Sequence, residues 1–259
     1  MDFKKRIDDI INSTEANIGL AVKNITTQDI IFINEEKIFP SASLIKLFIF
    51  AEACRQMKEG RIGLNQKITL TDDDKVNGAG ILKELNSGHK FAIGELLTLM
   101  TIISDNTATN IIIDTLGMGN INATINNLGF SSTMLQRKMM DFKAAKEGKE
   151  NITSAKDILK ILDLLVKGTL IDRESSQLII DALKKQQVKG RLDLYLPEDV
   201  VIAHKTGDLY CLEHDVGIVY LQDNPYIICV LTNENISNKE GRKIIGKLSK
   251  IVYEEFSRQ

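Results

Sequence analysis

The chain has 259 residues, is 43% hydrophobic and carries a formal net charge of -2, so it can bury the core of one large domain or of two intergrown ones. The near-neutral balance, with no arginine-rich arm and no basic stripe interleaved with aromatics, argues against a nucleic-acid partner. No apolar run reaches the roughly 18 residues of a membrane span, and the three cysteines, Cys54, Cys211 and Cys229, are too few and too scattered for a disulfide framework or a cysteine metal site.

The first predicted element is an amphipathic helix with Phe3, Ile7, Ile10 and Ile11 on one stripe. It contains no signal-peptide core, so the chain as written reads as cytoplasmic, or as exported if a leader has been removed. Residues 18–22 and 30–33 follow as two strands of a hairpin. An apolar helix is expected from Ser43 to about Met57, with Gly60 and Gly63 at its exit. The middle of the chain shows spacings near 3.6 over 94–103, 107–116, 121–128, 155–166 and 173–183. Loops are expected over 71–90 and 136–153. Strands return over 200–206, 216–221 and 226–231, and an amphipathic helix closes the chain over 239–256. Strands at both ends with helices between them predict an α/β (α+β) fold. Its antiparallel sheet is assembled from residues 1–40 and 195–259 and covered by the terminal helices, and residues 41–194 form an all-helical lobe.

Lys46 is the most telling residue. It lies in Ser43-Leu44-Ile45-Lys46-Leu47-Phe48-Ile49-Phe50-Ala51, where nearly every neighbour is apolar. An ammonium buried there is expected to lose its proton and become a base. Ser43, one helical turn earlier, is expected within reach of that amine as an activated nucleophile. The same spacing recurs in Ser87-Gly88-His89-Lys90, but in a polar loop where the lysine is solvated, so no role is assigned there. Two further clusters follow. Ser104-Asp105-Asn106, between two helical patterns, offers a hydroxyl to relay a proton and a carboxamide to orient a substrate amide; its residue types also suit plain helix caps. Lys205-Thr206-Gly207 closes a strand and offers a cation and a hydroxyl for a carboxylate, and the amide of Asp208 offers a donor for an oxyanion. His204, His214 and Asp215 read as hydrogen-bonded strand residues rather than as a zinc site. Asn77-Gly78-Ala79-Gly80 is a loop that can face substrate but lacks the Gly-Lys-Ser/Thr of a phosphate loop.

Ser-x-x-Lys, Ser-Asp-Asn and Lys-Thr-Gly in this order form the signature of the serine β-lactamases and penicillin-binding proteins. The chain resembles that superfamily over nearly its whole length and is most similar to class A. The resemblance implies a sheet domain abutting a helical domain with the active site between them, a small-molecule β-lactam or related acyl substrate, and no metal or cofactor. It implies Ser43 as the acylated nucleophile, Lys46 as its proton acceptor and Ser104 as proton donor to the leaving nitrogen. Asn106, Lys205 and Thr206 become substrate contacts, and the amides of Ser43 and Asp208 the oxyanion hole.

One expected group is missing. Class A enzymes carry a glutamate two positions after an arginine in the loop that follows Ser-Asp-Asn, and it activates the water that releases the acyl group. Arg137 fits the arginine, but Met139 stands two positions on. Asp141 is the first candidate to replace that carboxylate; Glu147 and Glu150 read as solvated charges. The expected reaction is therefore opening of β-lactam rings through an acyl-enzyme on Ser43. The alternatives are a carboxylesterase, a D-amino-acid peptidase or penicillin-binding protein with slow deacylation, and a non-catalytic β-lactam sensor.

Overall fold

The computed structural model describes residues 3–258. Helix α1 (Phe3–Asn12) leads into β1 (Asn17–Asn24) and β2 (Ile30–Ile33), joined by a turn in which Asn24 Oδ1 accepts from the amides of Thr26 and Thr27. A short strand β3 (Phe39–Pro40) precedes a 3-10 turn over Ala42–Ile45, and only then does α2 (Lys46–Lys58) begin. The expected helix start at Ser43 is thus corrected: Ala42 has a φ of 45°, and the amide of Leu44 closes a tight turn on the carbonyl of Ser41. Strands β4 (Lys67–Thr69) and β5 (Lys90–Ala92) pair with each other across the expected loop 71–90. Helices α3 (Ile93–Ile102), α4 (Asn106–Leu116) and α5 (Met118–Asn127) follow. The expected loop 136–153 contains a short helix α6 (Phe142–Lys146) and a strand β6 (Ile152–Thr153), which pairs with β3. Helices α7 (Ala155–Lys167) and α8 (Arg173–Leu183), strands β7 (Val201–Leu209), β8 (Leu212–Tyr220) and β9 (Tyr226–Asn233), and helix α9 (Asn238–Phe256) complete the fold.

The main sheet is antiparallel with strand order β2-β1-β9-β8-β7. The first and last strands of the chain are therefore neighbours at its centre, as strands at both ends of the sequence predict. Side chains alternate between its two faces. On one face Leu20, Val22, Ile228 and Val230 pack under α1 and α9 through Ile7, Ile245, Leu248 and Val252. On the other face Ala21, Cys229, Leu231 and Val216 join one continuous core with the central helices. At the centre of that core, α2 is buried on nearly every side. No helix among the described residues is long and apolar enough to cross a membrane.

Strand β7 is an edge, and its free side lies against the turn that carries Ser43. Gly207 permits this approach, since a Cβ there would sit 3.1 Å from the amide nitrogen of Ser43 and 3.2 Å from Cβ of Ala42.

Candidate active site

Three segments distant in sequence meet at a cavity of about 320 Å³, lined among others by Ser43, Ser104, Asn106, Met139, Thr206 and Asp208. Ser43 arrives on the 3-10 turn at the head of α2. Lys46 is the first residue of α2 and is 2% exposed. Its Nζ lies 2.8 Å from the carbonyl oxygen of Ser104, 2.9 Å from Ser104 Oγ and 3.1 Å from Asn106 Oδ1. Burial, then the charge of Lys205, holds its pKa well below the ordinary lysine range; Asp105 and Asp208 act in the opposite direction. The expected direct contact with Ser43 is not made: among the described residues, no hydrogen bond joins Ser43 Oγ to this amine. Folding turns the amine toward the α3–α4 junction, where three oxygens compete for it.

Lys46 Nζ donates to all three oxygens, as many as the three N–H groups of an ammonium can serve. Ser104 Oγ in turn accepts from Lys205 Nζ at 3.1 Å. Ser104 Oγ therefore bridges the two buried amines, accepting from both. Lys205 is 1% exposed and also donates to the Thr206 carbonyl at 2.9 Å. Burial lowers its pKa to about 7; Asp215 opposes this, Arg191 adds to it and Asp208 opposes it.

The turn that holds Ser104 is built by its neighbours. Ser104 has a φ of 58°, a strained value for a residue with a side chain. Asp105 caps α4 by accepting from Ala108 N at 2.8 Å, and its other oxygen takes the amides of Ile81 and Leu82 at 2.7 and 2.9 Å. Gly80, at φ 106°, lets the chain pass this close, since a Cβ there would fall 2.2 Å from the Asp105 carboxyl carbon. Asn106 donates from Nδ2 to the Asn77 carbonyl and from its backbone to the Ala79 carbonyl. The loop at 77–80 is thereby fixed at the rim, and Gly78 and Ala79 line the cavity.

The opposite wall is the segment 136–151. Asn110, one turn after Asn106 on α4, clasps Met139 through both backbone groups: it accepts from Met139 N at 2.8 Å and donates to the Met139 carbonyl at 3.1 Å. Asn151 ties the neck by accepting from Gln136 N and Arg137 N and donating to the Arg137 carbonyl. Met139 is 7% exposed and faces the cavity. The structure corrects the choice of Asp141. That residue is exposed, caps α6 by accepting from Ala144 N at 2.9 Å, and is not among the lining residues. The carboxylate of this segment that does line the cavity is Glu150, held 2.8 Å from Arg137 Nη2. The exposed Glu147 pairs with Lys149.

Thr206 and Asp208 line the cavity from β7. His204 does not line the cavity and holds Asp215 at 2.9 Å, and His214 Nε2 sits 2.8 Å from the Pro40 carbonyl. Burial lowers the His214 pKa to about 4. Sequence reasoning missed Asn110, although it shares a helix face with Asn106 at a spacing of four. It also missed Arg191, a buried guanidinium with no local signal.

The family model described as the beta-lactamase enzyme family matches residues 2–256. Beta-lactamase VEB-1 of Pseudomonas aeruginosa is 24% identical over 96% of this chain and 88% of its own length. The beta-lactamase of Sphaerobacter thermophilus superimposes with a TM-score of 0.90 at 25% identity, covering 100% of this chain and 99% of that one. PBP-A superimposes with a TM-score of 0.91 at 26% identity, covering 99% and 96%. A mutant of PBP-A, similar at the same identity, is described as an acyl-enzyme complex with penicillin G.

Proposed function

The chain belongs to the beta-lactamase enzyme family, and we propose that its β-lactam hydrolysis runs through an acyl-enzyme on Ser43, served by the Ser43–Lys46–Ser104–Lys205 constellation. The carrying observation is Ser104 Oγ, placed 2.9 Å from one buried amine and 3.1 Å from another. Ser43 Oγ attacks the lactam carbonyl carbon, and its proton passes to the Lys46–Ser104 pair. The C–N bond breaks, and the nitrogen takes a proton from Ser104, which is replenished from the amines. The amides of Ser43 and Asp208 receive the developing oxyanion. Asn106 contacts the acyl side-chain amide, and Lys205 with Thr206 holds the substrate carboxylate.

Hydrolysis of the acyl-enzyme needs a water held beside a base. Asn110 clasps the backbone where the family's glutamate is expected, and the side chain there is Met139, which has no base. Glu150 is already paired with Arg137. This favours a second reading alongside turnover: covalent penicillin binding with slow release, in keeping with the likeness to PBP-A. The test is intact-mass spectrometry during incubation with benzylpenicillin. A mass increase of one penicillin that is absent in Ser43→Ala and decays over minutes to hours is expected. No adduct together with no lactam loss rejects the reading.

A further inference from the structure

We infer that His214 is a positioning residue for the nucleophile: it ties the Ser43 turn to the main sheet, and so sets where the Ser43 hydroxyl and amide stand relative to β7. The inference rests on the acylation reading above and adds a residue which that reading does not use.

His214 is on β8, opposite Gly207 in the β7–β8 register, and Gly207 is the residue of β7 that lies against the Ser43 amide. The imidazole is fully buried, and two neighbours fix which of its nitrogens carries the proton. The Thr232 amide donates to Nδ1 at 3.1 Å, so Nδ1 presents its lone pair. The Pro40 carbonyl, 2.8 Å from Nε2, can only accept, so Nε2 carries the proton and donates it. The Glu213 carbonyl, 2.8 Å from Nδ1, accepts instead from the Thr232 hydroxyl at 2.8 Å. Burial keeps the ring neutral, with its pKa lowered to about 4. Phe39 packs edge-on against the same ring, with centroids 6.0 Å apart. One buried side chain on β8 thus joins β9 to β3, the strand from which the nucleophile turn springs.

Ser43 follows Pro40 by three residues. The turn between them contains Ala42 at a φ of 45°, and a backbone in such a sparsely populated conformation persists only where its surroundings hold it. The His214–Pro40 bond holds it from the sheet, and the Asn151 carbonyl, 2.7 Å from the Ser41 amide, holds it from the facing wall. The two oxyanion donors of the acylation reading sit on separate segments, the Ser43 amide on this turn and the Asp208 amide on β7. The bond from His214 therefore bears on the spacing between them, and that spacing bears on the rate.

The test separates the two ring nitrogens. In His214→Gln the side-chain amide reaches as far as Nε2 and can still donate to Pro40. In His214→Asn it reaches only as far as Nδ1, so it can accept from Thr232 but leaves Pro40 without its donor. Both variants lose the ring against Phe39, so loss of packing weighs on them alike, and urea unfolding reports it. Acylation of Ser43 by benzylpenicillin is followed by intact mass over a range of concentrations, which separates the limiting rate from the half-saturating concentration. The limiting rate is expected to fall about tenfold in His214→Asn and to stay within about threefold of wild type in His214→Gln. The half-saturating concentration is expected to hold in both, since Lys205 and Thr206 are untouched. Limiting rates reduced equally in both variants, or unchanged in both, overturn the inference and leave the acylation reading standing. A second measurement needs no variant: 15N NMR of the wild-type imidazoles is expected to show His214 as the neutral Nε2–H tautomer from about pH 5 to 8. An Nδ1–H tautomer or a charged ring in that range overturns the inference. Failure of benzylpenicillin to label wild-type Ser43 overturns the acylation reading and the inference with it.

Discussion

One wall of the cavity, built from α2, the α3–α4 turn and β7, joins two buried amines, Lys46 and Lys205, through the single hydroxyl of Ser104. The facing wall, residues 136–151, is held just as firmly, by Asn110 and Asn151, yet presents a thioether to the cavity at the clasped position, where the proposed release of the acyl group would call for a base. The difference teaches that scaffold and chemistry are separable. Asn110 binds only backbone atoms of residue 139, so it positions that residue whatever its side chain, and order in the loop says nothing about whether water is activated there.

The comparison breaks most completely at Ser43. Ser43→Ala is expected to abolish the covalent adduct, and an adduct of unchanged mass in that variant would place the nucleophile elsewhere. Next, Lys46→Ala is expected to slow acylation by about 10²–10⁴-fold, the range for loss of a general base, as read from the rate of mass increase. On the facing wall, Met139→Glu is expected to shorten the acyl-enzyme lifetime by about 10²-fold or more, measured as adduct decay after removing free penicillin. An unaltered lifetime would show that a carboxylate at this clasped position does not reach the ester.

Acidity sharpens the same contrast. Lys205 carries its charge below a pKa of about 7 and loses it as pH rises through that value, so acylation by benzylpenicillin is expected to weaken above about pH 7. The methyl ester of benzylpenicillin, which keeps the ring and acyl side chain and lacks the charge, is expected to show no such fall. Both should share a rise at lower pH as Lys46 sheds its proton, at a pH well below that of an ordinary lysine. Rates measured across the pH range with both compounds separate the two limbs. The smallest effect expected is on stability: Asn110→Ala leaves the amide and carbonyl of Met139 without partners and should cost about 1–3 kcal/mol, measured by urea unfolding.

The local signals proved sound wherever the cause was local. Periodicity located the long helices, and apolar strand runs at both ends located the main sheet, because the pattern of burial is written into each segment. The apolar run around Lys46 also foretold that its amine is buried. Where competing short-range features decide the backbone, the reading was coarser. The left-handed Ala42 and Ser104 and the small paired strands β3–β6 carry no hydrophobic period of their own.

By itself, then, the sequence determined the long helices and the main-sheet strands, the three motifs, their order and the absence of a glutamate at position 139. The tertiary structure alone decided that Lys46 turns to Ser104 and Asn106 rather than to Ser43, that Glu150 rather than Asp141 faces the cavity, and that Asp208 meets Arg191. These contacts join residues as much as 60 positions apart. They depend on how whole elements pack, and a free amine or carboxylate goes to whichever partners that packing brings within hydrogen-bonding distance.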